Sequence, residues 1–337
     1  MMILENLPEV SLPLPWHAEC WTHLGEQLAA GRLPHALLLT GEQHTGKSQL
    51  ALSLSRLLLC ASPIGGLNCG KCHACELSAS GGHGDFSWVQ PAEKSRTIKI
   101  DQVRGLVQFT TMTAGFGARK VIVLAPADSM NVNAFNALLK SLEEPSADTY
   151  LLLVCHRLHN VPATIRSRCQ LVRMPLPAQD DSLRWLDQVT GQRPASEKLL
   201  SLAEGRPLFA LQLYESDAAE EFAARRTGIA ALLDGLVTVP QAAGAWSDVD
   251  ALELLEQLTQ EIQGIVRMLS VQQLQSKAGR ASFQIMDELG RLQRAVTAGA
   301  NPNKQLLVDS ILSKMDRLLG GGQLGDNIQR KVGDSSV

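Results

Sequence analysis

The sequence predicts an α/β fold in the first half of the chain, with a parallel sheet between layers of helices, and an all-α region after it. Short apolar runs alternate with amphipathic segments up to about residue 174, the pattern of strands joined by helical crossovers. Beyond residue 177 no segment has the character of a strand. A phosphate-binding motif also stands between the first predicted strand and the first long helix, as an α/β nucleotide fold requires.

The predicted sheet has five strands, each a short apolar run bounded by turn residues. They cover residues 36–39, 86–89, 120–124, 150–155 and 170–174. Asp101 and Asn131 are predicted to cap the helices that follow the second and third strands, and Pro145 to end the later helix. Because strands joined by helical crossovers run parallel, these segments predict helices on both faces of the sheet.

The second half of the chain is predicted to be helical. A Pro-Leu-Pro linker at residues 175–177 precedes a short helical unit, and long amphipathic segments then indicate a helical bundle. The predicted division is an α/β domain (1–174) with an inserted module (60–75), a helical domain (175–216), a C-terminal helical domain (217–320) and a disordered tail (321–337).

Composition excludes some classes of function. The 337 residues carry a net charge of −3 with a pI near 6.3, which opposes binding of nucleic acid through the total charge. No apolar run approaches the roughly 18 residues of a membrane span. Glu5 and Glu9 stand where a secretory signal carries positive charge. A cytoplasmic protein without a membrane partner is therefore expected.

Residues 41–48, Gly-Glu-Gln-His-Thr-Gly-Lys-Ser, match the P-loop pattern at every fixed position. The candidate nucleotide-binding residues are Gly41, Thr45, Gly46, Lys47 and Ser48. The glycines let backbone N–H groups surround a phosphate, the lysine adds a positive charge, and the serine offers a hydroxyl to Mg²⁺. The alternative is a glycine turn that contains Lys-Ser by chance.

Four of the seven cysteines form a C-x8-C-x2-C-x2-C cluster within the metal module, residues 60–75. The candidate ligands are Cys60, Cys69, Cys72 and Cys75. Four thiolates form a closed tetrahedral shell for a structural Zn²⁺, without an open coordination position for catalysis. The alternatives are four unconnected cysteines, or a zinc knuckle that binds nucleic acid through Lys71 and His73. The remaining cysteines are predicted to be reduced and at or near the core; they are Cys20, Cys155 and Cys169.

The acids of a P-loop hydrolase are missing from the predicted sheet edge. Hydrolysis requires a carboxylate after a neighbouring strand to hold the Mg²⁺ shell, commonly beside a second acid. The strand at 120–124 is followed instead by Ala125 and Pro126. Asp128 is the nearest carboxylate, but it follows the proline and is expected to lie at the surface or to cap a helix. The sequence therefore argues against independent hydrolysis.

Arg166 and Arg168 lie just before the last predicted strand, in a segment that follows Pro162. A guanidinium in such a segment could enter the active site of an adjacent subunit and stabilise charge on a transferring phosphoryl group. From the pattern alone, the alternative is an arginine in a surface salt bridge.

Several motifs together resemble the bacterial clamp-loader ATPase subunits of the AAA+ superfamily. These are the P-loop, the cysteine cluster after its helix, residues 135–145 (Phe-Asn-Ala-Leu-Leu-Lys-Ser-Leu-Glu-Glu-Pro), and Ser-Arg-Cys at 167–169. Gly-Arg-Leu-Pro-His-Ala at 31–36 resembles the same family. The motifs extend over about the first 215 residues. The resemblance implies an AAA+ domain, a helical lid and a C-terminal helical collar, which correspond to the three predicted domains.

The chain departs from the motor subunits of that family, tau and gamma, at three places. It has Ala125 and Pro126 in place of an Asp-Glu pair, Cys155 and His156 near a sensing threonine, and Leu208 in place of the lid arginine. With the cysteines and the Ser-Arg-Cys motif retained, this set resembles the non-hydrolysing subunits of the DNA polymerase III clamp loader.

The resemblance implies a hetero-oligomeric ring with delta and tau/gamma subunits that loads a sliding clamp onto primed DNA. Arg168 would be an arginine finger supplied in trans, and the P-loop would hold ATP or ADP with Mg²⁺ without hydrolysing it. The nucleotidyl transfer of the polymerase would lie on another chain. Two competing interpretations are an active AAA+ motor ATPase and a zinc-containing nucleic-acid-binding protein.

Overall fold

The computed structural model describes residue 4 and residues 7–93, 95–112, 114–117, 119–191, 193–297 and 299–320, so the predicted disordered tail lies outside the described residues. The chain divides into two compact units. The first contains Met1–Arg193 and Gly205–Phe209, and the second contains Pro194–Glu204 and Ala210–Val337. The three-domain division expected from the sequence stays a prediction.

The first unit is built on a five-stranded sheet in which every strand pair is parallel. The strands are β1 (Ala36–Thr40), β2 (Phe86–Val89), β3 (Lys120–Leu124), β4 (Thr149–Cys155) and β5 (Gln170–Arg173), in the order β2-β3-β4-β1-β5. The predicted α/β fold is thus confirmed. The predicted strand bounds agree with the observed ones to within one residue.

Helices cover both faces of this sheet. The helices that lie within the first unit are α1 (Ala18–Ala29), α2 (Lys47–Leu59), α3 (His73–Ala79), α4 (Ile100–Thr111), α5 (Val132–Glu143), α6 (Ala163–Arg166) and α7 (Gln179–Thr190). Strand β1 shows why its sequence is apolar throughout: Leu38 packs in the core under α4 and α5, whereas Leu37 and Leu39 pack in the core under α1 and α2.

The two predicted helix caps have different outcomes. Asn131 caps α5, because its side chain accepts a hydrogen bond from the Ala134 N–H at 2.9 Å. The prediction for Asp101 is wrong, because Lys99 is the N-cap and α4 begins two residues earlier than a cap at Asp101 would place it. Gln102 explains this start, since its side-chain oxygen accepts a hydrogen bond from the Lys99 N–H at 2.9 Å.

Among the described residues, every regular element after β5 is a helix. They are α8 (Arg193–Leu202), α9 (Pro207–Glu215), α10 (Ala219–Leu233), α11 (Val239–Ala243), α12 (Ala251–Met268), α13 (Val271–Gln275), α14 (Lys277–Thr297) and α15 (Lys304–Leu319). The core of the second unit contains the apolar faces of α12, α14 and α15 around the buried Trp246. None of the described helices is long and apolar enough to cross a membrane.

Candidate functional site

The predicted P-loop connects the end of β1 to the start of α2, as the motif requires. Its two glycines are needed for space and for backbone conformation. A side chain at Gly41 would collide with the Met174 carbonyl oxygen. Gly46 has a left-handed φ of 90°, and a Cβ there would lie 2.8 Å from the His17 ring. The loop therefore has the local geometry of a phosphate-binding turn before a helix N-terminus.

Lys47 is the first residue of α2, and its side chain is only 2% exposed. Its ammonium donates hydrogen bonds to the carbonyl oxygens of Gly41, at 2.9 Å, and of Glu42. Burial lowers the pKa of Lys47 to about 8, against the opposing influence of the Asp128 carboxylate. Ser48 follows it in the first turn of α2. The ammonium thus lies inside the loop, in position for a phosphate to replace the two carbonyls.

A second layer of contacts comes from the segment before α1, whose hydrogen bonds to the loop were not predicted from the sequence. The indole Nε1 of Trp16 and the Nε2 of His17 each donate to the Thr45 carbonyl oxygen at 2.9 Å. Burial lowers the pKa of His17 to about 4, so its ring is neutral at pH 7. The far side of the loop is therefore held by two ring N–H donors that meet on one carbonyl.

The carboxyl ends of β1, β3 and β4 meet at the same edge of the sheet, where the P-loop lies. Strand β3 is followed there by Ala125 and Pro126, which offer no carboxylate. Asp128 does not have the surface or capping role that the sequence predicted. It is half-buried, its Oδ1 accepts from the His156 backbone N–H at 2.8 Å, and its charge favours protonation of Lys47. The chain turns back after Pro126 and so brings the Asp128 carboxylate to this edge.

His44 of the loop has two further polar neighbours, His156 and Arg206. The His44 ring centroid is 5.1 Å from that of Phe209, and the Arg206 guanidinium stacks 4.8 Å from the same phenyl ring. Burial, with nearby positive charge, lowers the pKa of His44 to about 4 and that of His156 to about 3. Sequence reasoning did not bring these residues together, because they are far apart along the chain.

The predicted metal ligands lie together. Cys60 follows the last turn of α2, Cys69 and Cys72 belong to the loop after it, and Cys75 lies in α3. All four sulfurs lie within 4.8 Å of one another. The Cys60–Cys72 and Cys69–Cys75 sulfur pairs are each 3.9 Å apart. A tetrahedral zinc site with bonds of about 2.3 Å has sulfurs about 3.8 Å apart, so this donor set fits Zn²⁺.

Backbone N–H groups support the thiolate form of Cys69. The Cys72 N–H donates to the Cys69 sulfur at 3.3 Å, and the Lys71 N–H donates to the same sulfur at 3.5 Å. These bonds lower the pKa of Cys69 to about 6. Since zinc binds thiolates, the cluster could hold a metal ion in a closed shell of four sulfurs.

All seven cysteines lie among the described residues, and none of them is in a disulfide. The three outside the metal module are buried or half-buried, as predicted. Burial raises the pKa of Cys155 and of Cys169 to about 12, so both thiols are protonated and unreactive at neutral pH.

Arg168 follows α6 and lies apart from the P-loop lysine, on a solvent-accessible part of the first unit. Its side chain is 35% exposed. Its Nη2 lies 2.5 Å from Oε1 of Glu143, at the end of α5, and its Nη1 donates to the Thr164 carbonyl oxygen at 2.9 Å. The free chain thus presents Arg168 in a surface salt bridge, with the guanidinium plane fixed at both terminal nitrogens.

Comparisons with known proteins agree with the resemblance. The family described as DNA polymerase III, delta subunit, matches residues 16–178. A DNA polymerase III subunit delta' of Pseudomonas aeruginosa is 38% identical over 327 residues, which cover 91% of this chain and 98% of the relative. The subunit of that name in Yersinia pestis is 33% identical and covers 86% of this chain and 84% of its own.

Among solved structures, a DNA polymerase III gamma subunit-related protein of Thermotoga maritima covers 88% of this chain and 99% of its own. Its identity is 20% and its TM-score 0.45, a likeness too low to carry an argument. The sequence relatives are sufficient without it, because one of them aligns over almost its whole length. The chain belongs to the family of DNA polymerase III delta' subunits, which are members of the bacterial clamp loader.

Proposed function

We propose that this chain is a non-hydrolysing clamp-loader subunit, a stator that binds nucleotide and supplies an arginine finger to a neighbouring ATP site. The observation that carries the proposal is the end of β3, where Ala125 and Pro126 follow the strand beside an intact P-loop. Hydrolysis at a P-loop requires an acid at this position to hold Mg²⁺ and a second group to orient water. A loop without them retains binding and loses turnover.

The nucleotide site of the proposal consists of Gly41, Thr45, Gly46, Lys47 and Ser48. Backbone N–H groups at the start of α2 and the Lys47 ammonium would hold the phosphates of ATP or ADP, and the Ser48 hydroxyl would contact Mg²⁺. Nucleotide bound there without turnover would stabilise the folded unit by mass action. The four cysteines of the metal module would hold Zn²⁺ as a structural ion.

Arg168 is the proposed finger. An arginine that serves a neighbour must be accessible, and its guanidinium must be held in a defined orientation before the neighbour arrives. Arg168 meets both requirements, because it is partly exposed while Glu143 and Thr164 fix its two terminal nitrogens. Arg166, two residues away and exposed, has the same charge and is the natural comparison.

The proposed partners are the delta and tau/gamma subunits of the clamp loader, with the sliding clamp and primed DNA contacted through the complex. A lid domain (175–216) and an oligomerising collar (217–320) belong to the same proposal, and the helical character of both stretches supports it. A cytoplasmic location is proposed with these partners.

An active motor ATPase is the second candidate function, and Asp128 is the observation that favours it. Its carboxylate acts on the charge of Lys47, so it is the described acid in position to replace the missing pair. One of its oxygens already accepts a hydrogen bond from the His156 N–H, which fixes the side chain but occupies a lone pair that a Mg²⁺ shell would use.

The test is a clamp loader reconstituted with Arg168→Ala, Arg166→Ala or Lys47→Ala. Arg168→Ala should leave assembly intact and reduce turnover at the facing motor site by about 10³-fold in single-turnover ATPase assays, the usual contribution of an arginine finger. Arg166→Ala should match the wild type. Unchanged turnover with Arg168→Ala would remove the finger assignment.

The chain alone should hydrolyse no ATP. A turnover that disappears with Lys47→Ala and with Asp128→Asn would instead establish the motor function.

A further inference from the structure

We propose that the N-terminal segment, residues 7–17, couples the metal module to the P-loop, and that Asn68 is the positioning residue that holds this segment. The proposal rests on the proposed binding of metal and nucleotide. Its consequence is that loss of the metal, or of the Asn68 side chain, weakens nucleotide binding at a loop that neither of them touches.

At the metal end, the segment is bound by the residue next to a ligand. Asn68 is 2% exposed and immediately precedes Cys69. Its Oδ1 accepts from the Ser11 N–H at 2.9 Å, and its Nδ2 donates to the Glu9 carbonyl oxygen at 2.8 Å. The same Nδ2 lies 3.5 Å from the sulfur of Cys75. One amide group therefore contacts both the segment and a metal ligand.

Arg56 of α2 binds the segment from the other side and is 1% exposed. Its Nη1 donates to the Pro8 carbonyl oxygen at 2.5 Å and to the Ser11 hydroxyl at 2.7 Å. Its Nη2 donates to the Glu9 carbonyl oxygen at 3.0 Å, and its Nε donates to the Ser78 hydroxyl in α3 at 3.1 Å. A buried guanidinium with these partners fixes the segment against α2 and α3 together.

At the other end, the segment lies against the P-loop. Trp16 and His17 donate to the Thr45 carbonyl oxygen, and the side chain of Leu14 occupies the space that a Cβ at Gly46 would need. The P-loop thus takes one wall from a segment whose other end is held by Asn68 of the metal module and by Arg56 of α2.

The connection between the two ends is short and stiff. Only three peptide bonds separate Ser11 from Leu14, a span of at most about 10 Å. Pro13 and Pro15 each fix a backbone φ angle near −65°, which removes freedom that would absorb a displacement. Movement at the Asn68 end is therefore transmitted to the donors on Thr45.

The metal determines whether the Asn68 end is ordered. The module is a loop with one short helix, too small for a core of its own, and a shared cation would be the cross-link between its four sulfurs. Without the cation, Asn68 loses its fixed position and the segment loses two hydrogen bonds. The P-loop then samples more conformations, and nucleotide binding must restore the order at a cost in affinity.

The experiment compares full-length wild type, Asn68→Ala and the control His73→Ala, whose ring is in the same module and 72% exposed. Metal content, affinity for a fluorescent ATP analogue and hydrogen exchange of residues 41–48 are measured on each. Asn68→Ala should retain one metal per chain and show faster hydrogen exchange at residues 41–48. It should bind the analogue about tenfold more weakly, which corresponds to the loss of one or two hydrogen bonds. His73→Ala should match the wild type, and exchange in α14 should not change.

Unchanged affinity and unchanged exchange at 41–48 in metal-loaded Asn68→Ala would overturn the coupling. If the wild type binds no nucleotide, the proposed nucleotide site fails, and exchange at 41–48 still decides the coupling. If Asn68→Ala loses its metal, Pro13→Gly replaces it as the test variant. This substitution makes the segment more flexible and keeps the hydrogen bonds at both of its ends. Faster exchange at 41–48 in that variant supports the coupling, and wild-type exchange contradicts it.

Discussion

The two ends of helix α2 carry two sites that are assembled in opposite ways. Its first residue, Lys47, belongs to the P-loop, and Cys60, which follows its last residue, is the first candidate metal ligand. The candidate metal ligands all lie within 16 residues of sequence, and their four sulfurs lie within 4.8 Å of one another. The P-loop edge instead takes its groups from the ends of three strands and from the N-terminal segment, and it lacks the acids of hydrolysis. In the proposed function, the locally assembled site is complete in one chain, whereas the long-range site binds nucleotide and depends on neighbours for chemistry.

The largest effect is expected from breaking the local site. Cys75→Ser removes a ligand that is 1% exposed, so metal content should fall from one ion per chain to none. Loss of a structural metal costs about 4 kcal/mol or more of unfolding free energy, or about 10 °C in the melting temperature of the first unit. Metal analysis and calorimetry measure both. Cys20→Ser, outside the cluster, should keep its metal; full metal content in Cys75→Ser would show that the shell is not closed by these four sulfurs.

The long-range site should respond to pH rather than to loss of one ligand. The pKa of Lys47 is lowered to about 8, and a bound phosphate favours its charged form. Nucleotide affinity should therefore be complete below pH 8 and decline as the pH rises above it, by about tenfold between pH 7 and pH 9. Titration of a fluorescent ATP analogue at several pH values measures this. Lys47→Arg keeps its charge, and a decline of equal size in that variant would assign the titration to another group.

The smallest effect is expected from a substitution of Asp128, which belongs to the long-range site. Its negative charge favours protonation of Lys47, so Asp128→Asn should move the midpoint of the pH profile below 8. The substituted amide oxygen can still accept from the His156 N–H, which keeps the backbone in place. The same binding titrations detect the shift. Asp101→Asn, with a carboxylate 86% exposed, is the matched control, and an unmoved midpoint in Asp128→Asn would separate that carboxylate from the loop.

The same contrast explains what the sequence could predict. The strand bounds were predictable because strands buried on both faces leave uninterrupted apolar runs, as in β1 and β3. The cysteine cluster and the P-loop were predictable because their spacing is local. Arg56, Asn68 and His17 were not, because each acts through hydrogen bonds to backbone atoms at least 28 residues away, and carbonyl partners leave no trace in side-chain patterns. Asp128 was named from the sequence but placed at the surface, because the pattern does not show that the turn after Pro126 returns the chain to the sheet edge.

The salt bridge between Arg168 and Glu143 determines how Arg168 would bind a phosphate of a neighbouring subunit. A guanidinium that already has a carboxylate partner at 2.5 Å exchanges one anion for another when a phosphate arrives. Little additional charge is desolvated, and few counterions are released, because the cation was neutralised before the exchange. Engagement of this arginine would thus be governed by geometry rather than by long-range attraction, and its rate would depend only weakly on ionic strength.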